Sequence, residues 1–204
     1  MSEACLRLDQ MVNASDVPRL IATVTDMRVL QSVLAALSPN SKVLDIGTGN
    51  AGSAILFAIH KNVDSVITID PFKSDAEAWV GSKERCERFL RDYPTVTLLP
   101  ITSEEAFKDE LLTDFDLVYV DGDHRFEAVK FDIEAWRQRL KPEGYLIGHD
   151  YGLRYPSVKK AVNETLDEVY VSKLIRCTVW ADRPVGKLRV RLRENVVKCS
   201  YRIL

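Results

Sequence analysis

Cysteine is sparse in this chain and its spacing is irregular. The four cysteines, Cys5, Cys86, Cys177 and Cys199, form no Cys-x-x-Cys pair. That argues against a zinc site built on them and reads as reduced thiols of a cytoplasmic protein. No apolar stretch approaches the length of a membrane span, and the start MSEACLRLDQ lacks the apolar core of a signal peptide. An excess of charge of one sign is missing too. A formal net charge of -2 and a pI near 6.0 argue against a general nucleic-acid binder. Internal repeats and low-complexity segments are absent. What remains is an ordinary globular balance, 46% hydrophobic and 28% charged over 204 residues. A single domain of that size buries about 70% of its unfolded surface.

Against this background one stretch stands out, Ser41 to Gly52, SKVLDIGTGNAG. Val43, Leu44 and Ile46 make a short apolar run interrupted by Asp45, and Gly47, Gly49 and Gly52 follow. An apolar run that breaks into G-x-G-x-x-G before a helical pattern reads as strand, tight turn and helix N-terminus. Gly47 serves the turn, Gly49 the close approach of backbone to a ligand, and Gly52 the packing of helix on strand. A β-type run, Val66 to Ile69, then ends in Asp70, 18 residues beyond Gly52. A Rossmann-like nucleotide site places an acid for ribose hydroxyls at that point.

The rest of the chain alternates helical and β patterns. A helix opens at Asp16 with Pro18 just inside it and carries Leu20, Ile21, Val24, Met27, Leu30, Leu34 and Leu37 at helical steps. The capping-box pattern Ser74-x-x-Glu77 opens another, with Trp79, Cys86, Phe89 and Leu90 on its apolar face. Strands are expected at 95–99, 115–120 and 145–148, with Lys141–Gly144 as a turn, and two more β pieces fall within 169–182. Phe126, Val129, Ile133, Trp136 and Leu140 mark one buried helix face, and Val158, Val162 and Leu166 mark another. The expected fold is α/β, a doubly wound and mostly parallel sheet with helices on both faces. Residues 1–39 form a cap-helix region, 40–183 the core, and 184–204 a basic tail of the same domain. In the tail, Lys187–Arg193 alternates basic and apolar residues. It reads as an edge strand guarded by charge, or as a surface for an acidic substrate or partner.

The motif V-L-D-I-G-T-G-x-x-G resembles motif I of class I S-adenosylmethionine (SAM) dependent methyltransferases, with Asp45 as the acid two positions before the first glycine. That resemblance favours SAM over NAD and implies a seven-stranded sheet whose last pair is antiparallel. It makes Asp45, Gly47, Thr48, Gly49, Gly52, Asp70 and Pro71 cofactor-binding. Thr102 stands where many relatives carry an acid beside the adenine, and Ser103 is the neighbouring candidate.

Ligands of open α/β sheets sit outside the carboxyl ends of the strands, which is where Asp121 and the pair His149-Asp150 fall. Two carboxylates brought together there repel unless a cation or proton lies between them. V-D-G-D-H-x-F-E-A-V followed by G-x-L-I-G-H-D-Y is similar to metal-dependent O-methyltransferases of the catechol and antibiotic-sugar type. The resemblance implies that Asp121, His149 and Asp150 hold a divalent metal, magnesium or manganese first, and that His124 is the general base beside Asp121. His149 departs from the pattern, because magnesium prefers oxygen while imidazole suits manganese, iron, nickel or zinc. It stands either as a ligand or as a residue facing the substrate. Read singly, His124 or Asp123 serves equally well as a helix cap.

The expected activity is therefore SAM-dependent O-methylation of a small hydroxylated acceptor, a sugar or natural product. An N-methyltransferase, an NAD-dependent oxidoreductase and a non-catalytic SAM-binding partner protein are the competing readings. An inactive module has no need of a base at the cofactor's methyl. No membrane or nucleic-acid partner is expected, and homo-oligomer formation is left open.

Overall fold

The computed structural model describes residues 24–73, 83–174 and 176–192. The expected helix start at Asp16 and Pro18, the Ser74–Glu77 capping box with Trp79, and the tail beyond Leu192 lie outside these residues.

In chain order the elements are α1 (Val24–Leu34), β1 (Ser41–Ile46), α2 (Gly52–Ala58), β2 (Val63–Ile69), α3 (Lys83–Leu90), β3 (Val96–Leu99) and α4 (Ser103–Phe107). They continue with β4 (Phe115–Val120), α5 (Phe126–Trp136), β5 (Leu140–Gly148), α6 (Pro156–Thr165), β6 (Val169–Val171), β7 (Trp180–Ala181) and β8 (Val190–Leu192). One sheet holds all eight described strands in the order β3-β2-β1-β4-β5-β7-β6-β8. Strands β1 to β5 pair in parallel, while β7 and β8 run antiparallel to their neighbours. The sheet has eight strands rather than the seven expected because the basic tail joins it: Val190–Leu192 pairs with Val169–Val171 at the edge.

Alternation along the central strands feeds two cores. Val43, Leu117, Tyr119 and Ile147 pack with α1 and α2 on one face. Leu44, Val118, Val120 and Leu146 pack with α5 and α6 on the other. Fully buried Phe57 and Trp136 anchor the two sides, each such side chain contributing about 1.5–3 kcal/mol. Strand order reverses between β1 and β4, so the crevice at their carboxyl ends is the natural ligand site.

Three local expectations shift. The turn at Lys141–Gly144 lies inside β5, where Phe115 pairs with Leu140 but Leu117 with Tyr145. The extra residues bulge out while β4 advances by two, and Lys141 Nζ closes the excursion on Asp116 at 2.8 Å. Strand β7 is Trp180–Ala181 rather than Cys177–Trp180. The Thr178 backbone is engaged elsewhere, its N–H donating to Asp26 Oδ1 and its carbonyl accepting from the Tyr151 N–H. Helix α1 is rotated from the apolar count: Val24 is exposed, while Asp26 turns inward with Val29, Leu30 and Val33.

Candidate active site at the carboxyl ends of the sheet

The glycine loop forms where β1 ends. Gly47 has φ +101°, and its N–H donates to the Ile69 carbonyl at 2.9 Å. A Cβ there would lie 2.2 Å from the Asp121 carbonyl, so glycine is required by both conformation and space. Gly49 has φ +51°, and a Cβ on it would meet no atom within 4 Å among the described residues. Its N–H donates to Asp70 Oδ2 at 2.9 Å, and Asp70 Oδ1 accepts from the Phe72 N–H at 2.8 Å. Asp70 thus closes the loop from the end of β2. Burial pushes its carboxyl above the usual range, against the pull of the two backbone N–H groups. Pro71 follows it, half-buried, and Gly52 begins α2.

Asp45 sits beneath the loop with no exposure. Its Oδ2 accepts from Ser53 Oγ at 3.0 Å and Thr68 Oγ1 at 2.8 Å, tying β1 to α2 and β2. Its Oδ1 is buried with no hydrogen-bond partner among the described residues. Burial pushes the carboxyl up to about 8, despite the Thr68 and Ser53 bonds. The Thr48 hydroxyl faces Thr68 Oγ1 at 2.6 Å and is likewise internal. Thr102 and Ser103, expected beside the adenine, have other partners for their side chains. Thr102 caps α4, accepting from the Glu105 N–H at 3.1 Å. Ser103 accepts from Trp136 Nε1 at 2.7 Å and donates to Asp132.

The second half of the site lies at the ends of β4 and β5. The Asp121 N–H donates to the Ile46 carbonyl at 2.8 Å and the His149 N–H to the Val120 carbonyl at 3.0 Å, which sets the three strand ends side by side. Asp121, His124 and Asp150 form a group whose ligand atoms all lie within 4.8 Å of one another. His124 Nε2 is 2.7 Å from Asp150 Oδ2. The imidazole stacks on Tyr155, with centroids 4.1 Å apart and planes at 11°, and the His124 carbonyl accepts from Ser157 Oγ at 2.7 Å. Asp150 itself is left-handed, at φ +59°, a conformation that aspartate tolerates better than most residues. Burial raises its pKa, but the bonds to His124 and His149 outweigh it and hold the carboxyl well below the usual range.

His149, the third expected ligand, lies between the two site carboxylates and α1. It is buried, with Nδ1 3.6 Å from Asp121 Oδ1 and 3.4 Å from Asp150 Oδ1. Its Nε2 faces Thr178 Oγ1 at 3.0 Å and Asp26 Oδ2 at 3.4 Å. Burial disfavours the charged ring, yet contacts with Asp121, Asp150 and Asp26 together push its pKa up to about 12. Asp121, His124 and Asp150 make up the close donor group, and His149 Nδ1 faces both of its carboxylates.

Residues that motif reading missed complete the site. Tyr119, fully buried, donates its hydroxyl to Asp121 Oδ2 at 3.2 Å. Its ring meets Phe57 of α2 edge-on at 5.4 Å, which links the cofactor loop's helix to the acid. Asp26 was legible only as an acid within an apolar stripe. Tyr155 and Thr178 carried no local signal. His60, which has no role assigned, accepts from the Asn62 N–H at 3.3 Å and closes a turn.

Residues 44–151 match the family described as a methyltransferase domain, more than half of the 204-residue chain. The chain belongs to that family. Its glycine loop and loop-closing acid suit a cofactor bearing hydroxyls. Among curated proteins, an uncharacterized protein of Acanthamoeba polyphaga mimivirus is 25% identical over 135 residues, 64% of this chain and 61% of the viral one. The chain thus spans about three-fifths of the length of the curated relative it matches. Solved structures share the fold. An rRNA methylase from Streptococcus thermophilus has TM-score 0.57 at 16% identity, covering 84% of this chain and 100% of its own. The cofactor-bound Rv0187 from MTB has TM-score 0.60 at 13% identity, covering 93% and 92%. CalS11, a TDP-rhamnose 3′-O-methyltransferase of calicheamicin biosynthesis, has TM-score 0.52 at 15% identity, covering 88% and 92%.

Proposed function

We propose that this methyltransferase transfers its methyl group to a hydroxyl of a small molecule, a sugar or natural product, and that a divalent metal assists. The observation that carries the reading is the pairing of His124 Nε2 with Asp150 Oδ2 at 2.7 Å, inside the close group completed by Asp121. SAM supplies an electrophilic methyl on sulfonium, which a neutral hydroxyl attacks poorly. His124 addresses that weakness. Its side chain is 36% exposed and can accept a proton from the acceptor, while Asp150 and the Tyr155 ring fix its orientation.

The metal reading rests on the donor chemistry. Asp121 and Asp150 would hold the ion, which lowers the pKa of a hydroxyl bound to it. Two carboxylates beside one imidazole suit manganese, iron or zinc as well as magnesium. The same grouping supports a second reading, with His124 as a third donor. A sugar-methylating structure among the fold neighbours agrees with a hydroxyl acceptor, and the chain's net charge of -2 favours a small acceptor over RNA.

Turnover with isotopically labelled SAM and a panel of hydroxylated and amine acceptors, with and without chelator, tests the proposal. Label in a hydroxylated product, lost on chelation while SAM still binds, is expected. Label in amines alone overturns O-methylation. Full turnover in chelator, with no metal by elemental analysis, overturns the metal.

A further inference from the structure

We infer that Asp26 and His149 form a buried strut that positions the two site carboxylates, making α1 a working part of the active site. The inference deepens the metal-assisted reading and rests on it. One ring nitrogen of His149 faces both carboxylates, 3.6 Å from Asp121 Oδ1 and 3.4 Å from Asp150 Oδ1. Each carboxylate has its other oxygen on a different group: Asp121 Oδ2 on the Tyr119 hydroxyl at 3.2 Å, Asp150 Oδ2 on His124 at 2.7 Å. Both carboxylate planes are therefore fixed from two sides, with His149 the partner they share.

The opposite ring nitrogen faces Asp26 Oδ2 at 3.4 Å and Thr178 Oγ1 at 3.0 Å. Asp26 is anchored in turn, its Oδ1 accepting from the Thr178 N–H at 2.8 Å. Asp26 is 1% exposed and His149 7% exposed, so neither can swing away. An acid on an apolar helix face is costly to bury unless it is paired. This one faces His149, a residue that touches the site, and accepts from the Thr178 N–H. A group that orients ligands from behind typically changes metal affinity or activity by about 10–100-fold. His149 and Asp26 are positioning residues in this scheme. Neither donates to the ion.

The test uses the full chain and Mn²⁺ or Mg²⁺ alone as probe, so no acceptor is needed. Asp26→Asn, His149→Gln and the double variant are titrated with each ion, and with SAM. The expected result is a loss of about tenfold or more in Mn²⁺ affinity in each single variant, with no further loss in the double, because Asp26 acts through His149. The preference for Mn²⁺ over Mg²⁺ should stay at the wild-type ratio, and SAM affinity should stay unchanged. A preference that moves toward Mg²⁺ in His149→Gln shows a lost nitrogen ligand and overturns the strut. Additive losses overturn it too, since Asp26 would then be acting on the helix alone. If His149→Gln does not fold, Asp26→Asn decides: wild-type Mn²⁺ affinity overturns the strut, and a selective loss with SAM affinity intact supports it. No Mn²⁺ binding by the wild-type chain overturns the metal reading together with the strut.

Discussion

The carbonyl of Asp121 occupies the space that a Cβ on Gly47 would need, 2.2 Å from where that atom would stand. The first glycine of the loop and the first acid of the proposed metal group are thus in backbone contact. Gly47→Ala should disturb both halves of the site at once. We expect a stability loss of roughly 2–4 kcal/mol, from the positive φ and the clash combined, with weaker binding of SAM and of Mn²⁺. Gly49→Val meets no protein atom at the added Cβ, so it should cost about 1–2 kcal/mol of left-handed strain and weaken SAM alone. Thermal unfolding and calorimetric titration separate the two. Equal effects of both variants on the metal would refute the distinction.

Asp70→Ala removes the acceptor for the Gly49 and Phe72 N–H groups and the carboxylate offered to ribose hydroxyls. Hydrogen bonds to a charged group contribute about 1.5–3 kcal/mol, so SAM affinity should fall by roughly 10–150-fold. Unchanged affinity in a titration would remove Asp70 from the cofactor site.

His124→Ala should slow turnover by roughly 10²–10⁴-fold, the usual contribution of a positioned base, while SAM and Mn²⁺ still bind. Loss of Mn²⁺ binding would instead make His124 a ligand. Tyr155→Leu removes the ring stacked on His124. A contact of about 0.5–1.5 kcal/mol should appear as a fall in kcat of about 2–10-fold, with the KM for SAM unchanged.

Asp132 links α5 to α4 through Ser103, and burial pushes its carboxyl up to about 7, with Glu104 and Asp123 adding to the rise. The folded state therefore holds this proton more tightly than the unfolded chain does. Its contribution to stability is fully present below about pH 4 and is lost as pH rises through about 7. Asp132→Asn carries no such proton. The stability of the wild type relative to this variant should fall by roughly 2–4 kcal/mol between pH 4 and pH 8. Denaturant unfolding across that range measures it, and parallel pH curves would show that Asp132 does not titrate in the folded state.

Much of this protein was legible because it is local. The glycine loop at Gly47 and Gly49, the acid at Asp70, the buried run Phe115–Val120 and the placement of Asp121, His124 and Asp150 at strand ends follow from short-range pattern. A strand buried on both faces must read as a nearly continuous apolar run, and a turn with positive φ favours glycine. The basic tail was readable as a strand from its period of two. Its place at the sheet edge agrees with that reading, but its partner Val169–Val171 was not legible, because pairing partners are chosen at long range.

Position along the chain could say that His149 falls beside Asp150, but not which way its ring would face. Consecutive residues at a strand end point to opposite sides, and the side that His149 takes is lined by Asp26, 123 positions earlier, and by Thr178 after it. The partners of the Thr102 and Ser103 side chains were hidden in the same way, a capping bond for one and the Trp136 and Asp132 side chains of α5 for the other. The sequence by itself determined the fold class and the atoms available for chemistry. Only the tertiary structure decided which of those atoms face one another, because a buried polar group is satisfied by whatever the packing brings beside it.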